Sequence, residues 1–169
     1  KKALQEAETA YEKGEIPVGA VIVIENRIIA RAHNLTELLV DVTAHAEMQA
    51  ITAASNFLGG KYLQNCTLYV TLEPCQMCAG ALYWSQISKI VYGAKDEERG
   101  CTTLNTKLHP KTEIIGGIMA EEASIEIDTK LDWQLAEFLH SKQEKIIDSK
   151  IKLVLSDFTK NAIEKFKSK

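Results

Sequence analysis

A histidine, a glutamate and a pair of cysteines constrain this chain more than any other feature of its sequence. His45-Ala46-Glu47 is separated by 26 residues from Pro74-Cys75-Gln76-Met77-Cys78. One imidazole and two thiolates are ligands that zinc prefers, and a site with three protein ligands keeps its fourth position for water. A carboxylate two residues from the histidine is suited to carry that water's protons. The pattern predicts a fold that brings two distant segments together around a catalytic zinc ion.

The order of these residues also carries a family resemblance. Zinc deaminases acting on cytosine or adenine share the signature H-x-E followed by P-C-x-x-C. At these residues the chain resembles the cytidine deaminase-like superfamily, and the surrounding residues resemble bacterial tRNA adenosine deaminases. Four stretches carry the narrower resemblance: Thr43–Glu47, Thr67–Cys75, Cys78–Ala81 and Val91–Ala94. The resemblance predicts a zinc-dependent deaminase domain at 1–123 and a C-terminal helical extension, divergent from the family, at 124–169.

Hydrophobic periodicity predicts the order helix, hairpin, helix, strand, helix, strand, loop, strand. The predicted elements are a helix over 3–11, strands over 18–24 and 27–32, a helix over 44–57, a strand over 66–72, a helix over 75–84, and strands over 89–92 and 113–119. This order indicates an α/β sandwich around one mixed sheet. The resemblance implies a three-layer α/β/α fold with a mixed five-stranded sheet. Apolar spacing after residue 124 predicts two further amphipathic helices.

Composition bounds the class of protein. With 169 residues, 46% hydrophobic and 25% charged, the chain is long enough for one packed globular domain. Its apolar runs are shorter than the ~20 residues of a membrane span, and no signal peptide is visible. Four cysteines, two of them in a metal-type pair, fit a reducing cytoplasm better than a disulfide framework. We therefore expect a cytoplasmic protein without a membrane partner.

The charge does not by itself indicate a nucleic-acid partner. The net charge is −3, and residues 131–169 hold 8 Lys and 6 Asp/Glu, which leaves 12 basic and 17 acidic residues in 1–130. Because phosphate binders are usually basic, a tRNA would need a local basic patch. The basic residues of the 95–99 and 107–111 loops are candidates to hold phosphates, and simple solvation is the alternative.

The resemblance implies a role for each residue of the site. His45, Cys75 and Cys78 would bind Zn²⁺, and Glu47 would be the catalytic proton carrier. Two helix N-termini, beginning near His45 and Cys75, would converge on the metal. The resemblance further implies four substrate-binding positions, namely Ile16, Val18, Asn34 and the backbone N–H of Ala46.

Several alternatives stay open at this point. A structural zinc site would need a fourth ligand, and four residues offer one: Cys66, Cys101, His33 and His109. Cys66 is better interpreted as a buried strand residue. Asn34 has the alternative role of a turn residue. Tyr83 and Trp84 are interpreted as core or subunit-interface residues.

The resemblance therefore implies a hydrolase that converts adenosine to inosine at the wobble position of a tRNA anticodon loop, where the base is already unpaired. The resemblance implies a homodimer. The alternative is the same chemistry on a free nucleobase or nucleoside such as guanine or cytosine. A third possibility, a non-catalytic zinc subunit, is disfavoured because Glu47 is present.

Overall fold

The computed structural model describes residues 1–119, so the predicted C-terminal helices and the boundary at 123 lie outside the described residues. The elements, in chain order, are α1 (Lys2–Glu12), β1 (Gly19–Ile24), β2 (Arg27–His33), α2 (Thr36–Leu39), α3 (Ala46–Leu58), β3 (Cys66–Leu72), α4 (Gln76–Ser85), β4 (Lys89–Ala94) and β5 (Glu113–Ile115). The predicted order is confirmed. The short helix α2 lies between the strand predicted over 27–32 and the helix predicted over 44–57, where no regular element was expected.

The five strands form one mixed sheet in the order β2-β1-β3-β4-β5. β1 pairs antiparallel with β2 and β3, whereas β3, β4 and β5 are parallel to one another. Glu25 and Asn26 connect β1 to β2 with φ of 46° and 61°. Positive φ at both central residues of a two-residue loop matches the twist of a hairpin, as the sequence predicted.

Helices cover both faces of the sheet, which gives the three layers expected. On one face, Ala46, Ala50 and Ala54 of α3 pack into a core with β1 and β3 side chains. Because successive strand residues point to opposite faces, Gly19 and Val21 of β1 face the other helix layer. There α1 packs its buried alanines, which are Ala3, Ala7 and Ala10. Small residues let the helices lie close to the strands that end at the site.

The contact of α1 with β1 depends on a missing side chain. A Cβ at Gly19 would overlap the carbonyl oxygen of Ala3 and the backbone nitrogen of Ala7. We expect Gly19→Ala to lower the free energy of unfolding by roughly 3 kcal/mol, because such overpacking displaces a rigid backbone. Gly80→Ala in α4 is the control, since a Cβ there meets nothing within 4 Å. Urea denaturation measures the free energy of unfolding of both variants. Equal stability of the two variants would contradict this packing.

Two predicted helix starts are wrong in detail. Thr43 directly precedes the helix predicted over 44–57, and its residue type predicts an N-cap there. It does not cap α3, because its hydroxyl and its backbone N–H both donate to Asp41 Oδ1 at 2.8 Å. Proline is favoured at the first helical position, which predicts that the helix over 75–84 begins at Pro74. Pro74 instead lies before the N-cap of α4, which is Cys75. The N-cap of α3 is His45. Both corrections place a predicted metal ligand at the N-cap position itself.

The last strand is shorter than predicted and ends at Ile115 instead of Met119. The next residue, Gly116, packs against the Tyr92 ring, where a Cβ would overlap. Gly117 then adopts a φ of 76°, a conformation that breaks a strand. Among residues 1–119, no helix is long and apolar enough to cross a membrane.

Candidate metal and active site

Two helix N-termini bring the predicted metal ligands together. His45 precedes α3, Cys75 precedes α4, and Cys78 lies in the first turn of α4. His45 Nδ1 is 3.7 Å from Cys75 Sγ and 3.6 Å from Cys78 Sγ. The ligand atoms of all three residues lie within 4.8 Å of one another. The predicted convergence of the two helices is therefore confirmed.

The spacing of these atoms fits zinc. With Zn–S of about 2.3 Å and Zn–N of about 2.05 Å, tetrahedral angles give an S-to-N distance of about 3.6 Å. The observed distances agree with that value to about 0.1 Å. A thiolate pair with one imidazole is also a typical zinc donor set. His45, Cys75 and Cys78 would therefore hold the ion.

A fourth protein ligand is not part of this cluster within residues 1–119. Cys66 is fully buried in β3, as predicted, and Cys101 contacts Glu73. The His33 ring lies between Lys13 and Glu6, at 2.9 and 3.4 Å. His109 accepts a hydrogen bond from the Lys111 N–H. The described residues give no support to a closed, four-ligand structural site.

Hydrogen bonds among the two thiols and the imidazole shift the pKa values of all three groups. A hydrogen bond from the Cys78 thiol lowers the pKa of Cys75 to about 4, and His45 adds to this effect. The same bond raises the pKa of Cys78 well above its usual range. A hydrogen bond to Cys75 raises the pKa of His45. These shifts favour the thiolate form of Cys75, which is the form that binds a metal ion.

Glu47 lies in the first turn of α3, two residues after the ligand His45, and is only 4% exposed. Burial raises the pKa of Glu47 to about 7, with the Cys75 thiolate adding to the shift. A carboxyl group that titrates near neutral pH both accepts and donates protons efficiently. The predicted proton carrier therefore has suitable chemistry beside the metal ligands.

The predicted substrate residue Asn34 is held by a buried glutamate. Asn34 Nδ2 donates to Glu15 Oε2 at 3.1 Å and to Thr36 Oγ1 at 2.8 Å. The same carboxylate accepts the N–H groups of Glu37 and Leu38 at 3.2 and 2.8 Å. A carboxylate only accepts, so this network fixes which end of the Asn34 amide faces it. These contacts hold the Asn34 side chain in one orientation.

Of the other predicted substrate residues, Ile16 and Val18 precede β1, and Ala46 begins α3. Asn34 N–H donates to Val18 O at 3.0 Å, which places these two residues side by side. Val18 belongs to the buried core and Ile16 is half-buried against it. Ala46, which follows the ligand His45, is fully buried. Their roles toward a substrate stay predictions.

Of the two aromatic residues ending α4, Trp84 is 77% exposed and so is not a core residue. Tyr83 makes edge contacts with Trp84 and with His109, with ring centroids 5.4 and 5.8 Å apart. Of the two predicted roles for Trp84, core residue or subunit-interface residue, its exposure is compatible only with the interface.

Sequence reasoning missed two buried glutamates, Glu15 and Glu73, which are 5% and 2% exposed. Their hydrogen-bond partners lie between 19 and 29 residues away along the chain. Periodicity carries no information at such distances. The one available signal was a lone acidic residue close to a proline, Pro17 in one case and Pro74 in the other.

Comparison with known proteins identifies the class to which this fold and site belong. The family model of the cytidine and deoxycytidylate deaminase zinc-binding region matches residues 1–94. That stretch contains all three metal ligands and Glu47. The chain therefore belongs to the cytidine deaminase-like superfamily of zinc-binding deaminases.

Within this superfamily, the relatives of the chain show that it belongs to the tRNA-specific adenosine deaminases. The Bacillus subtilis enzyme of that name is 48% identical over 128 residues, covering 72% of this chain and 80% of the relative. A structure from a study of A-to-I editing by tRNA:A34 deaminases at the wobble position superposes with a TM-score of 0.70 at 40% identity. It covers 74% of this chain and 95% of that chain.

The resemblance is not confined to residues 1–123. The tRNA-specific adenosine deaminase of Haemophilus influenzae is 39% identical over 162 residues, covering 92% of this chain and 90% of the relative. That match necessarily extends past residue 123. The division into a domain at 1–123 and an extension at 124–169 stays a prediction.

Proposed function

We propose that this protein converts adenosine to inosine at the wobble position of tRNA by zinc-dependent hydrolytic deamination. The observation that carries the proposal is a cluster of three ligands, with no fourth ligand among residues 1–119, and a buried carboxyl group two residues from one of them. The relatives named for tRNA deamination point to the substrate. Zinc held there supplies a nucleophile from water near neutral pH, because it lowers the pKa of water to about 7.

Glu47 carries the protons of the reaction in this proposal. It takes one proton from the attacking water and gives it to the ring nitrogen beside the carbon under attack. It then moves the second water proton to the amino group, the carbon–nitrogen bond breaks, and ammonia leaves. Burial raises the pKa of this carboxyl group above its usual range, which favours proton transfer in both directions. Water and adenosine thus give inosine and ammonia.

Asn34 holds the substrate through its carbonyl oxygen. Both amide hydrogens are occupied by Glu15 and Thr36, so Oδ1 is the atom left to accept a hydrogen bond. A hydroxyl or amino group of the substrate is the matching donor. The backbone of this segment is tied to the residue before His45, since Leu35 N–H donates to Ala44 O at 3.0 Å. Ile16 and Val18 would form the apolar wall beside it.

Asn34→Ala is expected to lower kcat/KM by about 10–100-fold, the loss typical of an unpaired buried polar group. Its zinc content is expected to stay at the wild-type level, because Asn34 is not a ligand. Asn56→Ala on the exposed face of α3 is the matched control and should behave as wild type. Steady-state inosine formation gives the comparison. Unchanged kcat/KM in Asn34→Ala would remove this residue from the substrate site.

We also propose that the protein is a cytoplasmic homodimer. Trp84, 77% exposed on this chain, is the candidate for the interface because exposed large aromatic residues often mark contact surfaces. Two subunits together would offer a tRNA a wider groove than one acidic chain. Sedimentation of the zinc-loaded protein measures the assembly.

Substrate choice separates tRNA deamination from the alternative of a free nucleobase. A tRNA anticodon stem-loop with adenosine at the wobble position is incubated beside adenosine, guanine and cytosine at equal concentration. The proposal predicts inosine in the stem-loop and negligible ammonia from the free compounds. Ammonia from guanine or cytosine with an unchanged stem-loop would favour the alternative.

A further inference from the structure

A second buried carboxylate lies close to the metal ligands along the chain. Glu73 follows β3 directly, two residues before Cys75, and is 2% exposed. Its Oε1 accepts the Thr102 N–H at 2.7 Å and the Thr102 hydroxyl at 2.6 Å. Its Oε2 accepts the Asp96 N–H at 3.2 Å. One buried group therefore fixes two separate points of the 95–106 loop, which follows β4.

The neighbours of Glu73 provide a hydrogen-bond donor and space for its carboxylate. The Cys101 thiol lies 3.8 Å from Glu73 Oε1, and burial together with that carboxylate raises the pKa of Cys101 to about 11. Cys101 is therefore a neutral thiol that donates. Gly100 leaves space, because a Cβ there would come within 2.5 Å of the Glu73 carboxylate and the Asp96 carbonyl oxygen. The loop closes over Glu73 because residue 100 has no side chain.

The loop held by Glu73 returns to the backbone of a metal ligand. Cys101 N–H donates to Pro74 O at 2.9 Å, and Gly100 forms an isolated antiparallel bridge with Cys75. On its other side, Cys75 O accepts the Ala79 N–H at 2.8 Å in the first turn of α4. The backbone of Cys75 is thus fixed by the helix on one side and by the loop on the other.

We propose that Glu73 is a positioning residue for the metal site. By ordering the 95–106 loop, its carboxylate fixes the Pro74–Cys75 backbone and so keeps Cys75 Sγ at its distance from His45 Nδ1. The inference rests on metal binding by the three ligands and is independent of which substrate is deaminated. Groups that orient metal ligands typically change metal affinity by about 10–100-fold when they are replaced.

Glu73→Gln tests this role with the shape of the side chain kept. The amide of glutamine places an NH₂ group against the N–H of Asp96 or against the donors of Thr102. The hydrogen bonds to one of these two residues therefore lose their acceptor. We expect zinc affinity, measured by chelator competition, to fall by about 10–100-fold. In the Co²⁺-loaded protein, the thiolate charge-transfer absorption should weaken or shift. Glu97→Gln is the matched control in the same loop, because Glu97 is exposed and pairs with Lys95.

Thr102 supplies a milder pair of variants. Thr102→Val removes the hydroxyl donor to Glu73, whereas Thr102→Ser keeps it. We expect weaker zinc binding in Thr102→Val and wild-type affinity in Thr102→Ser. If Glu73→Gln does not fold, this pair decides the question on its own.

A merely structural role for Glu73 would lower the Tm of the variants without changing the metal site. Wild-type zinc affinity and a wild-type cobalt spectrum in folded Glu73→Gln, or in Thr102→Val, would overturn the proposal. These readouts need no substrate. The proposed deamination can therefore fail while this inference stands, and the reverse also holds.

Discussion

Replacing Glu47 with glutamine is expected to lower the rate of inosine formation by about a thousandfold, within the range of about 10²–10⁴ that a positioned acid–base group contributes. The reason is that every proton transfer in the proposed reaction passes through this carboxyl group. Glutamine has nearly the same shape but neither accepts nor releases a proton near pH 7. Single-turnover formation of inosine at saturating enzyme measures the chemical step directly.

Two measurements accompany the Glu47→Gln rate. Zinc content should stay at the wild-type level, because Glu47 is not among the three clustered ligands. Glu8→Gln on the exposed surface of α1 removes the same charge and should retain the wild-type rate. A Glu47→Gln protein with full zinc and more than a tenth of the wild-type rate would remove Glu47 from the catalytic role.

Loss of either cysteine ligand is expected to abolish zinc binding and activity together. Cys75→Ala or Cys78→Ala leaves only two of the three clustered ligands. We expect zinc content after dialysis to fall to a small fraction of one per chain, with inosine below detection. A strong chelator should produce the same loss in the wild type, and added zinc should reverse it. Metal analysis and the inosine assay on the same samples test the coupling.

Cys66→Ala is the matched control for the cysteine ligands. Cys66 is also buried, but it lies in β3 and outside the ligand cluster. We expect it to keep full zinc and activity while losing about 1 kcal/mol of stability, the cost of removing one well-packed atom. Full zinc and normal activity in Cys75→Ala would contradict the ligand assignment.

The metal cluster was predictable because ligand chemistry restricts residue type and spacing so strongly. No other histidine or cysteine in the sequence fits a metal site as well as His45, Cys75 and Cys78, which lie beside Glu47 and Pro74. β3 was predictable to the residue because its alternating side chains face the core at Cys66, Leu68 and Val70. Apolar residues alternate with Thr and Tyr along these seven residues, which predicts a strand. The burial itself departs from this alternation at Thr71, which is also buried.

The details that sequence reasoning missed depend on contacts between distant parts of the chain. α2 spans only Thr36–Leu39, too short for a period of 3.6 residues to show. Its position depends on the Glu15 carboxylate more than twenty residues earlier. Thr43 looked like a helix cap, but Asp41 engages its hydroxyl. In each case a side chain satisfied a donor or acceptor that only the folded chain brings near.

The most direct test of the proposed reaction uses water labelled with ¹⁸O. Zinc-loaded wild type and Glu47→Gln are incubated with an anticodon stem-loop that carries adenosines at the wobble position and elsewhere in the loop. Mass spectrometry then locates inosine and its oxygen. We expect inosine at the wobble position alone, carrying ¹⁸O, with the wild type only. No inosine from fully zinc-loaded wild type, or equal amounts from Glu47→Gln, would contradict the proposed reaction.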